Sequence, residues 1–395
     1  MIQFVRNLTV QRIYLDYNAT TPLAPTVREE VMRTLEEFGN PSSVHHFGQR
    51  AKALVDDARA AVAALVSSEP SEIVFTSGGT EADNLALRGA ADVLESSGRT
   101  HIVVSAIEHE AILNTAKALA RRGCQVTIVP VDARGIVSVD AVREAVTKQT
   151  AVVSVMHANN EIGTIQSIAE IAAVAHSVGA LMHTDAVQSV AKIRVDVRAL
   201  GVDMLSLSAH KFYGPKGAGA LWIRRGVRLA PTSTGGRHER GRRAGTENVH
   251  GIVGLGAAAA LALEKTSAEG ARLATLRDWL ERGLLETVER TAVNGERTLR
   301  VPNTTNISFA DVEAESLLIG LDLEGIAVST GSACSSGTLE PSHVLRAMGF
   351  SAHRTQNSIR FSLGAGTTED DIDRVIGILP RVVDKIRNLN KVGAR

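Results

Sequence analysis

The chain has 395 residues, and its 43 lysines and arginines balance its 43 aspartates and glutamates, giving a formal net charge of zero. Two cysteines, Cys124 and Cys334, are too few for a disulfide-rich scaffold or for a four-cysteine metal site built from this chain alone. The neutral charge and the 3% aromatic content argue against a general nucleic-acid or membrane-surface binder. We expect a cytoplasmic protein, because the N-terminal residues lack a signal-like apolar region and the longest apolar run, 251–263, is too short to span a bilayer.

Short β-branched and apolar runs alternate with helical patterns through the first two thirds of the chain. Strands are predicted over Glu72–Ser77, His101–Ala106, Gln125–Val131, Ala151–His157, Leu181–Asp185, Met204–Ser208 and Gly219–Arg224. Apolar stripes over 112–119 and 168–178 predict helices that end at Gly123 and Gly179. This order predicts an α/β fold with a mostly parallel seven-stranded sheet, whose ligands bind at the carboxyl ends of the strands.

The pattern changes after about residue 265. A long helix is predicted over Arg272–Arg290, strands over Asn306–Phe309, Ile326–Ser329 and Ser358–Leu363, and a final helix that passes through Pro380. We expect a large domain over 21–265, and a smaller α+β domain formed by 1–20 and 266–395.

Polar residues follow several predicted strands at the edge where ligands are expected. Ser77-Gly78-Gly79-Thr80 joins a strand to a helix, where free backbone amides and the helix dipole favour a phosphate. An ordinary capped turn is the alternative there, with Thr80 and Asp83 as a capping box. His109 follows the second strand, but Leu113 stands where a zinc-binding HExxH motif needs its second histidine. The others at this edge are Asn160, Asp185, Gln188, Ser208, His210 and Lys211.

Asp185 and Lys211 are the most informative of these residues. A lysine with a lowered pKa can form a Schiff base, and a carboxylate can keep a pyridine nitrogen protonated. With a phosphate-binding turn they form the set that pyridoxal phosphate requires, although a structural ion pair is the simpler alternative.

Six segments of the sequence resemble the NifS/IscS-type (group I) cysteine desulfurases of the class V aminotransferase family. They cover nearly the whole chain in order: Tyr14–Pro22, Phe75–Glu81, His157–Gly163, Ser206–Lys211, Gly245–Asn248 and Ser332–Cys334. The resemblance implies a fold of the aspartate-aminotransferase type (fold type I), with pyridoxal 5'-phosphate bound in the large domain. It also implies a homodimer that converts L-cysteine to L-alanine and passes the sulfur to an acceptor, such as an iron–sulfur scaffold protein or a thio-modification pathway.

The resemblance also implies roles for individual residues. Lys211 would bind the cofactor as a Schiff base, Asp185 would pair with the ring nitrogen, and His109 would stack on the ring and transfer protons. Asn160 and Gln188 would contact ring substituents, and Arg360 would bind the substrate carboxylate, with Asn40 and Asn160 beside it. The phosphate would be held by Gly79, Thr80, Ser208 and His210, with Thr246 reaching the cofactor of the partner subunit.

Cys334 distinguishes this reaction from other pyridoxal phosphate chemistry. Its thiolate would attack the substrate sulfur to form a persulfide, and it could also ligate a transient cluster together with a partner, although no intrinsic metal site is expected.

Cys124 lies in a predicted strand and is interpreted as a small buried residue. The basic stretch Arg237–Arg243 is interpreted as a dimer-interface loop rather than a nucleic-acid site. Selenocysteine lyase, another class V lyase or aminotransferase, and a non-enzymatic sulfur-delivery protein are the alternatives.

Overall fold

A computed structural model describes residues 12–330 and 341–393 of the chain. The strands in these ranges are β1 (Ile13–Tyr14), β2 (Ile73–Thr76), β3 (His101–Ser105), β4 (Gln125–Val129), β5 (Thr150–Ser154), β6 (Leu181–Asp185), β7 (Met204–Ser208), β8 (Gly219–Ile223), β9 (Thr291–Asn294), β10 (Thr304–Phe309), β11 (Ile326–Ala327) and β12 (Ser358–Ser362). The helices are α1 (Pro25–Thr34), α2 (His46–Leu65), α3 (Gly79–Leu94), α4 (Glu110–Arg121), α5 (Val139–Ala145), α6 (Ile168–Ser177), α7 (Val197–Leu200), α8 (Val249–Thr287), α9 (Ala314–Leu323), α10 (His343–Ala347), α11 (Ala352–Gln356) and α12 (Glu369–Gly393).

Seven strands form the central sheet in the order β2-β8-β7-β6-β5-β3-β4. Strand β8 is antiparallel to both of its neighbours, and the other pairs run parallel. Each of the seven predicted strands overlaps one of these, so the prediction of a mostly parallel seven-stranded sheet is confirmed.

Helices cover both faces of this sheet because its strands are apolar on both sides. On one face of the sheet, Val103 and Val153 pack in a core with residues of α2, α6 and the first half of α8. Their neighbours Ile102 and Val152 point the other way, into a core formed with α3 and α4. The continuous burial of β3, β5 and β7 is what a doubly covered parallel sheet requires. Their carboxyl ends are therefore held rigidly at one edge.

A second core lies around the antiparallel sheet β12-β10-β9. It is closed by the second half of α8, by α9 and by α12, which continues through Pro380. The predicted helix over 272–290 is wrong at both ends, since α8 starts at Val249 and stops at Thr287, and β9 follows it. The predicted domain boundary at residue 265 falls inside α8, and the division into two domains stays a prediction.

Among the described residues, none of the helices has an apolar stretch long enough to cross a lipid bilayer.

Candidate active site

A cavity of about 490 Å³ opens at the carboxyl edge of the central sheet. Most of the residues predicted for the site line it, namely Gly79, Thr80, His109, Asn160, Asp185, Gln188, Ser208, His210, Lys211 and Arg360. They come from five different strand ends and from β12 of the second sheet, so the cavity lies where the two sheets meet.

The glycine turn before α3 forms one wall of the cavity. Gly78 has φ +156°, a conformation that side chains disfavour, and a Cβ on Gly79 would lie 2.8 Å from Cγ2 of Val187. Helix α3 starts at Gly79, and no side chain of the described residues caps its first amides. The capping-box interpretation is therefore wrong: Gly78 is the N-cap residue, and Thr80 lies inside the helix. The uncapped amides and the helix dipole suit an anion.

Lys211 lies just after β7 with its amine over the cavity. Its Nζ donates hydrogen bonds to the carbonyl oxygens of Asn18 at 2.7 Å and Ala19 at 2.8 Å. Burial and the positive charge of Arg360 lower the pKa of Lys211 to about 8, although the carboxylates of Asp185 and Asp16 oppose the shift. A large fraction of the amine is therefore neutral, and nucleophilic, slightly above neutral pH.

Asp185 ends β6 on the floor of the cavity. Its Oδ1 accepts a hydrogen bond from the backbone N–H of Val187 at 2.9 Å. Burial raises the pKa of Asp185, and the nearby His109 and Lys211 oppose this effect. A cation bound against this carboxylate would favour its ionised form, as expected for a partner of a protonated ring nitrogen.

Two further carboxyl groups lie behind Asp185. Asp83 of α3 is buried beside Asp185, and no described group bonds its Oδ1. Burial and the Asp185 charge raise the pKa of Asp83 well above its usual value. Glu108 accepts hydrogen bonds from the Ser105 hydroxyl and the Met156 amide, and burial raises its pKa to about 8. These acids are therefore expected to hold protons near neutral pH.

The two histidines of the site, His109 and His210, make different hydrogen bonds. His109 is the N-cap residue of α4, and its Nδ1 accepts a hydrogen bond from the Ala111 amide at 3.1 Å, which leaves Nε2 to carry the proton. His210 Nδ1 lies 3.1 Å from the hydroxyl of Thr20, and burial lowers the pKa of His210 to about 4. A neutral His210 can donate only one ring hydrogen to an anion.

Arg360 reaches the cavity from β12. Its Nη2 donates to Oδ1 of Asp16 at 2.6 Å, and its Nη1 donates to the backbone oxygen of Asn160 at 3.0 Å. The side chain is 5% exposed, and its Nε has no hydrogen-bond partner among the described residues. One donor of the guanidinium is thus buried and still open.

Sequence reasoning missed Asn18 and Lys192 as site residues. Asn18 Oδ1 accepts from Lys192 Nζ at 2.6 Å, and the Asn18 carbonyl accepts from Gln188 Nε2 at 3.0 Å. Lys192 also donates to Oε1 of Gln188. Asn18 lies in the segment 14–22 that carried the family resemblance, which was the available signal. Lys192 belongs to none of the six segments and gave no signal.

Three predicted residues do not line this cavity or cannot be placed. Asn40 is exposed in the turn between α1 and α2, where its Oδ1 accepts from the Ser42 amide. Thr246 is exposed in the segment before α8, and Cys334 lies outside the described residues. Cys124 lies one residue before β4, not in it, and its half-buried thiol has a pKa raised by burial.

Comparisons with known proteins agree with this arrangement. The sequence profile of the class V aminotransferases matches residues 13–375. The chain is 48% identical over 381 residues to a cysteine desulfurase IscS of Dictyoglomus turgidum, covering 96% of each chain. It is 49% identical to a cysteine desulfurase of a Nostoc species, covering 96% of this chain and 94% of the relative. The chain belongs to the cysteine desulfurases of the class V aminotransferase family.

Solved structures of similar proteins share its fold. A NifS-like protein superposes with a TM-score of 0.89 at 37% identity, over 95% of this chain and 100% of the relative. The DndA protein of Streptomyces lividans gives a TM-score of 0.76 at 39% identity, over 87% and 97% of the two chains. The family consists of pyridoxal phosphate enzymes of fold type I, as the sequence motifs predicted.

Proposed function

We propose that this cysteine desulfurase converts L-cysteine to L-alanine with pyridoxal 5'-phosphate, and that it holds the released sulfur as a persulfide on Cys334. The observation that carries the proposal is the convergence of Lys211, Asp185 and the uncapped start of α3 on one cavity. A structural ion pair would bring Lys211 and Asp185 within bonding distance, whereas Lys211 bonds only carbonyl oxygens among the described residues.

The residues present fit pyridoxal phosphate. A Cβ at Gly79 would fill the space beside Val187, so the turn leaves room for a phosphate against the first amides of α3. We assign Gly79, Thr80, Ser208 and His210 to the phosphate, Asp185 to the ring nitrogen, and Asn160, Gln188 and His109 to the ring and its substituents. When bound, the cofactor supplies an electron sink for the negative charge left at the substrate Cα.

Lys211 provides the base. Its pKa of about 8 leaves much of the amine neutral at a slightly alkaline pH, and the Asn18 and Ala19 carbonyls orient it. In its free form the amine can take the proton from the substrate Cα and later return a proton during alanine formation. His109, with Nδ1 engaged by the Ala111 amide, carries its proton on Nε2 and can donate it there.

Arg360 binds the substrate through its carboxylate. The Asn160 carbonyl and Asp16 hold the guanidinium, and the buried Nε offers an open donor. A carboxylate on this donor would fix the Cα–H bond relative to the Lys211 amine.

Cys334 takes the sulfur in our proposal. Its thiolate forms an S–S bond to the substrate sulfur while the C–S bond of the substrate breaks and leaves its electron pair on carbon. Protonation of that carbon gives alanine, and Cys334 keeps the sulfur as a persulfide. This step requires Cys334 to ionise more easily than an ordinary thiol.

We further propose a cytoplasmic homodimer that delivers sulfur to an acceptor protein. Thr246 is exposed and lies away from the cavity of its own chain, which supports a role at the partner subunit's cofactor. The name of the IscS relatives supports an iron–sulfur scaffold as the acceptor, by analogy alone. Light scattering of the purified enzyme tests the dimer directly.

The proposed reaction is tested by adding L-cysteine to the enzyme loaded with cofactor and measuring alanine and protein persulfide. We expect Cys334→Ser to keep the cofactor but lose persulfide formation and sulfide release, while Cys124→Ser behaves like the wild type. Continued desulfuration by Cys334→Ser would contradict the role of Cys334 and would favour a lyase that does not need this cysteine. A protein that never takes up the cofactor would favour non-enzymatic sulfur delivery.

A further inference from the structure

The side-on edge of the Arg360 guanidinium has one donor, Nε, without a hydrogen-bond partner among the described residues. This edge consists of Nε and Nη2, the two donors that can hold both oxygens of one carboxylate. Nη2 donates to Asp16 Oδ1 at 2.6 Å, whereas Nε is buried and has no partner among the described residues. The other end of the guanidinium is fixed separately, because Nη1 donates to the Asn160 carbonyl. A carboxylate that binds this edge uses Nη2 as its second donor, and Asp16 already bonds that nitrogen.

Asp16 is the part of this ion pair that can move. Its backbone is held by the bridge to Ser362 in β12 and by the Tyr14 hydroxyl, which donates to its carbonyl at 2.9 Å. Its side chain, however, keeps 20% exposure, compared with 5% for Arg360. A short rotation of the carboxylate leads toward solvent, while the arginine stays buried in its strand.

Two carboxylates on one buried guanidinium are unfavourable because like charges at this distance repel strongly. Exchange of one carboxylate for another keeps the charge near Arg360 constant and leaves no buried charge unpaired. A ligand without a carboxylate gains nothing from displacing Asp16.

We propose that Asp16 occupies Arg360 in the empty pocket as a stand-in for the substrate carboxylate and is displaced from Nη2 when the substrate binds. The inference rests on the proposed function, since it concerns the amino acid substrate of the same site. It explains how the pocket keeps a buried arginine paired between turnovers and releases it to a ligand that carries a carboxylate.

The test compares two ligands that differ only in the carboxylate, L-alanine and ethylamine, on the enzyme loaded with cofactor. Calorimetric titration of Asp16→Asn should show L-alanine binding roughly three- to tenfold tighter than in the wild type, because the internal competitor has lost its charge. Ethylamine affinity should not change. The same variant should lower KM for L-cysteine more than it alters kcat.

Two controls keep the result interpretable. Asp322→Asn removes a carboxylate of the exposed pair with Arg12 and should leave both affinities unchanged. Asp16→Ser, which removes the side-chain charge and most of its reach, should tighten L-alanine binding as Asp16→Asn does.

Weaker L-alanine binding in both Asp16 variants would overturn the inference and make Asp16 a residue that only positions Arg360. Equal changes for L-alanine and ethylamine would also overturn it, since the carboxylate would then not be what Asp16 mimics. Failure of the proposed function is seen in a different measurement, because the wild type would then release no alanine from L-cysteine. The affinities of the variants for L-alanine can be compared in either case.

Discussion

Two buried clusters of charged residues in this molecule are built on opposite principles. In the second core, Glu281 of α8 accepts hydrogen bonds from Arg300 at 2.6 Å and from the Thr305 hydroxyl at 2.7 Å. At the edge of the central sheet, the Asp83 and Glu108 carboxyl groups each keep one oxygen without a hydrogen bond from the described residues, although His183 Nε2 lies 3.7 Å from Oδ1 of Asp83. Both carboxylate oxygens of Glu281 are bonded within the first cluster, whereas each carboxyl group of the second keeps an oxygen without a hydrogen bond from the described residues.

The pKa shifts follow this difference. Burial alone would raise the pKa of Glu281, but the bonds from Arg300 and Thr305 and the nearby guanidinium charges lower it below its usual value. Burial raises the pKa values of Asp83, Glu108 and Asp185, since no cation of the chain compensates them fully. Charges that are matched within the chain stabilise a fold, whereas groups shifted toward their neutral forms around a cavity mark a site of chemistry.

The largest expected effect comes from removing the site amine. Lys211→Ala should reduce alanine formation from L-cysteine by roughly a thousandfold or more, because no other described residue places an amine over Asp185. The free energy of unfolding should change little, since the Lys211 amine bonds only two backbone carbonyls. Borohydride reduction followed by peptide mapping should attach the cofactor to Lys211 in the wild type and nowhere in the variant.

Lys148→Ala is the matched control, since Lys148 is exposed and distant from the cavity. Cofactor found attached to another lysine in the wild type would contradict the assignment of Lys211.

The next largest effect is expected from breaking the ion pair of Glu281 and Arg300 in the second core. Glu281→Ala leaves Arg300 buried without its carboxylate partner and should lower the free energy of unfolding by about 3–5 kcal/mol. Activity per folded molecule should be retained. Unfolding in denaturant measures the free energy of unfolding, and alanine formation from L-cysteine measures the activity.

Asp278→Ala is the control within the same cluster, because its side chain is 57% exposed and its pairs should contribute only about 1 kcal/mol or less. Equal destabilisation by both substitutions would mean that the burial of Glu281 is not the reason for its contribution.

Asp83→Asn should act in the opposite direction to Glu281→Ala. The raised pKa of Asp83 means that its favourable contribution is present below the unfolded pKa and is lost as the pH rises through the folded pKa. Replacing it with an amide removes that loss, and the variant should be more stable than the wild type at pH 8, with little difference at pH 4.

Unfolding in denaturant at the two pH values provides the measurement. A variant that is destabilised equally at both would indicate that Asp83 acts through a hydrogen bond rather than through its titration.

The smallest effect is the pH dependence of the site lysine. Because the pKa of Lys211 is about 8, the reactive neutral amine grows from roughly a tenth of the molecules at pH 7 to about nine tenths at pH 9. The rate of cofactor capture, followed by absorbance, should therefore rise about tenfold over this range. A rate that rises about a hundredfold between pH 7 and pH 9, and continues to rise toward pH 10, would indicate a lysine with an ordinary pKa.

Sequence patterns predicted the central sheet well, because its buried strands carry continuous apolar runs that periodicity detects. They failed at the start of α8, which was predicted at Arg272 but begins at Val249 and contains Gly251, Gly254 and Gly256 in its first turns. A Cβ at Gly256 would lie 2.6 Å from Cα of Ala58, so these small residues allow α2 and α8 to pack closely. Tertiary contact overrides intrinsic propensity there.

The site was predictable where its residues follow strands, as Asp185 and Lys211 do. Asp16, Asn18 and Lys192 escaped this reasoning because their partners are distant in sequence. Asp16 bonds Arg360, which is 344 residues away along the chain, and Lys192 bonds Asn18 across 174 residues. Only folding brings such pairs together.

The most direct test of the central claim is mass spectrometry of the loaded enzyme after a single addition of L-cysteine in the absence of reductant. We expect one additional sulfur atom on the peptide that contains Cys334, none on the peptide with the half-buried Cys124, and one alanine for each persulfide formed. Alanine released without sulfur on Cys334, or sulfur found on Cys124 instead, would contradict the assignment of this chain's reaction.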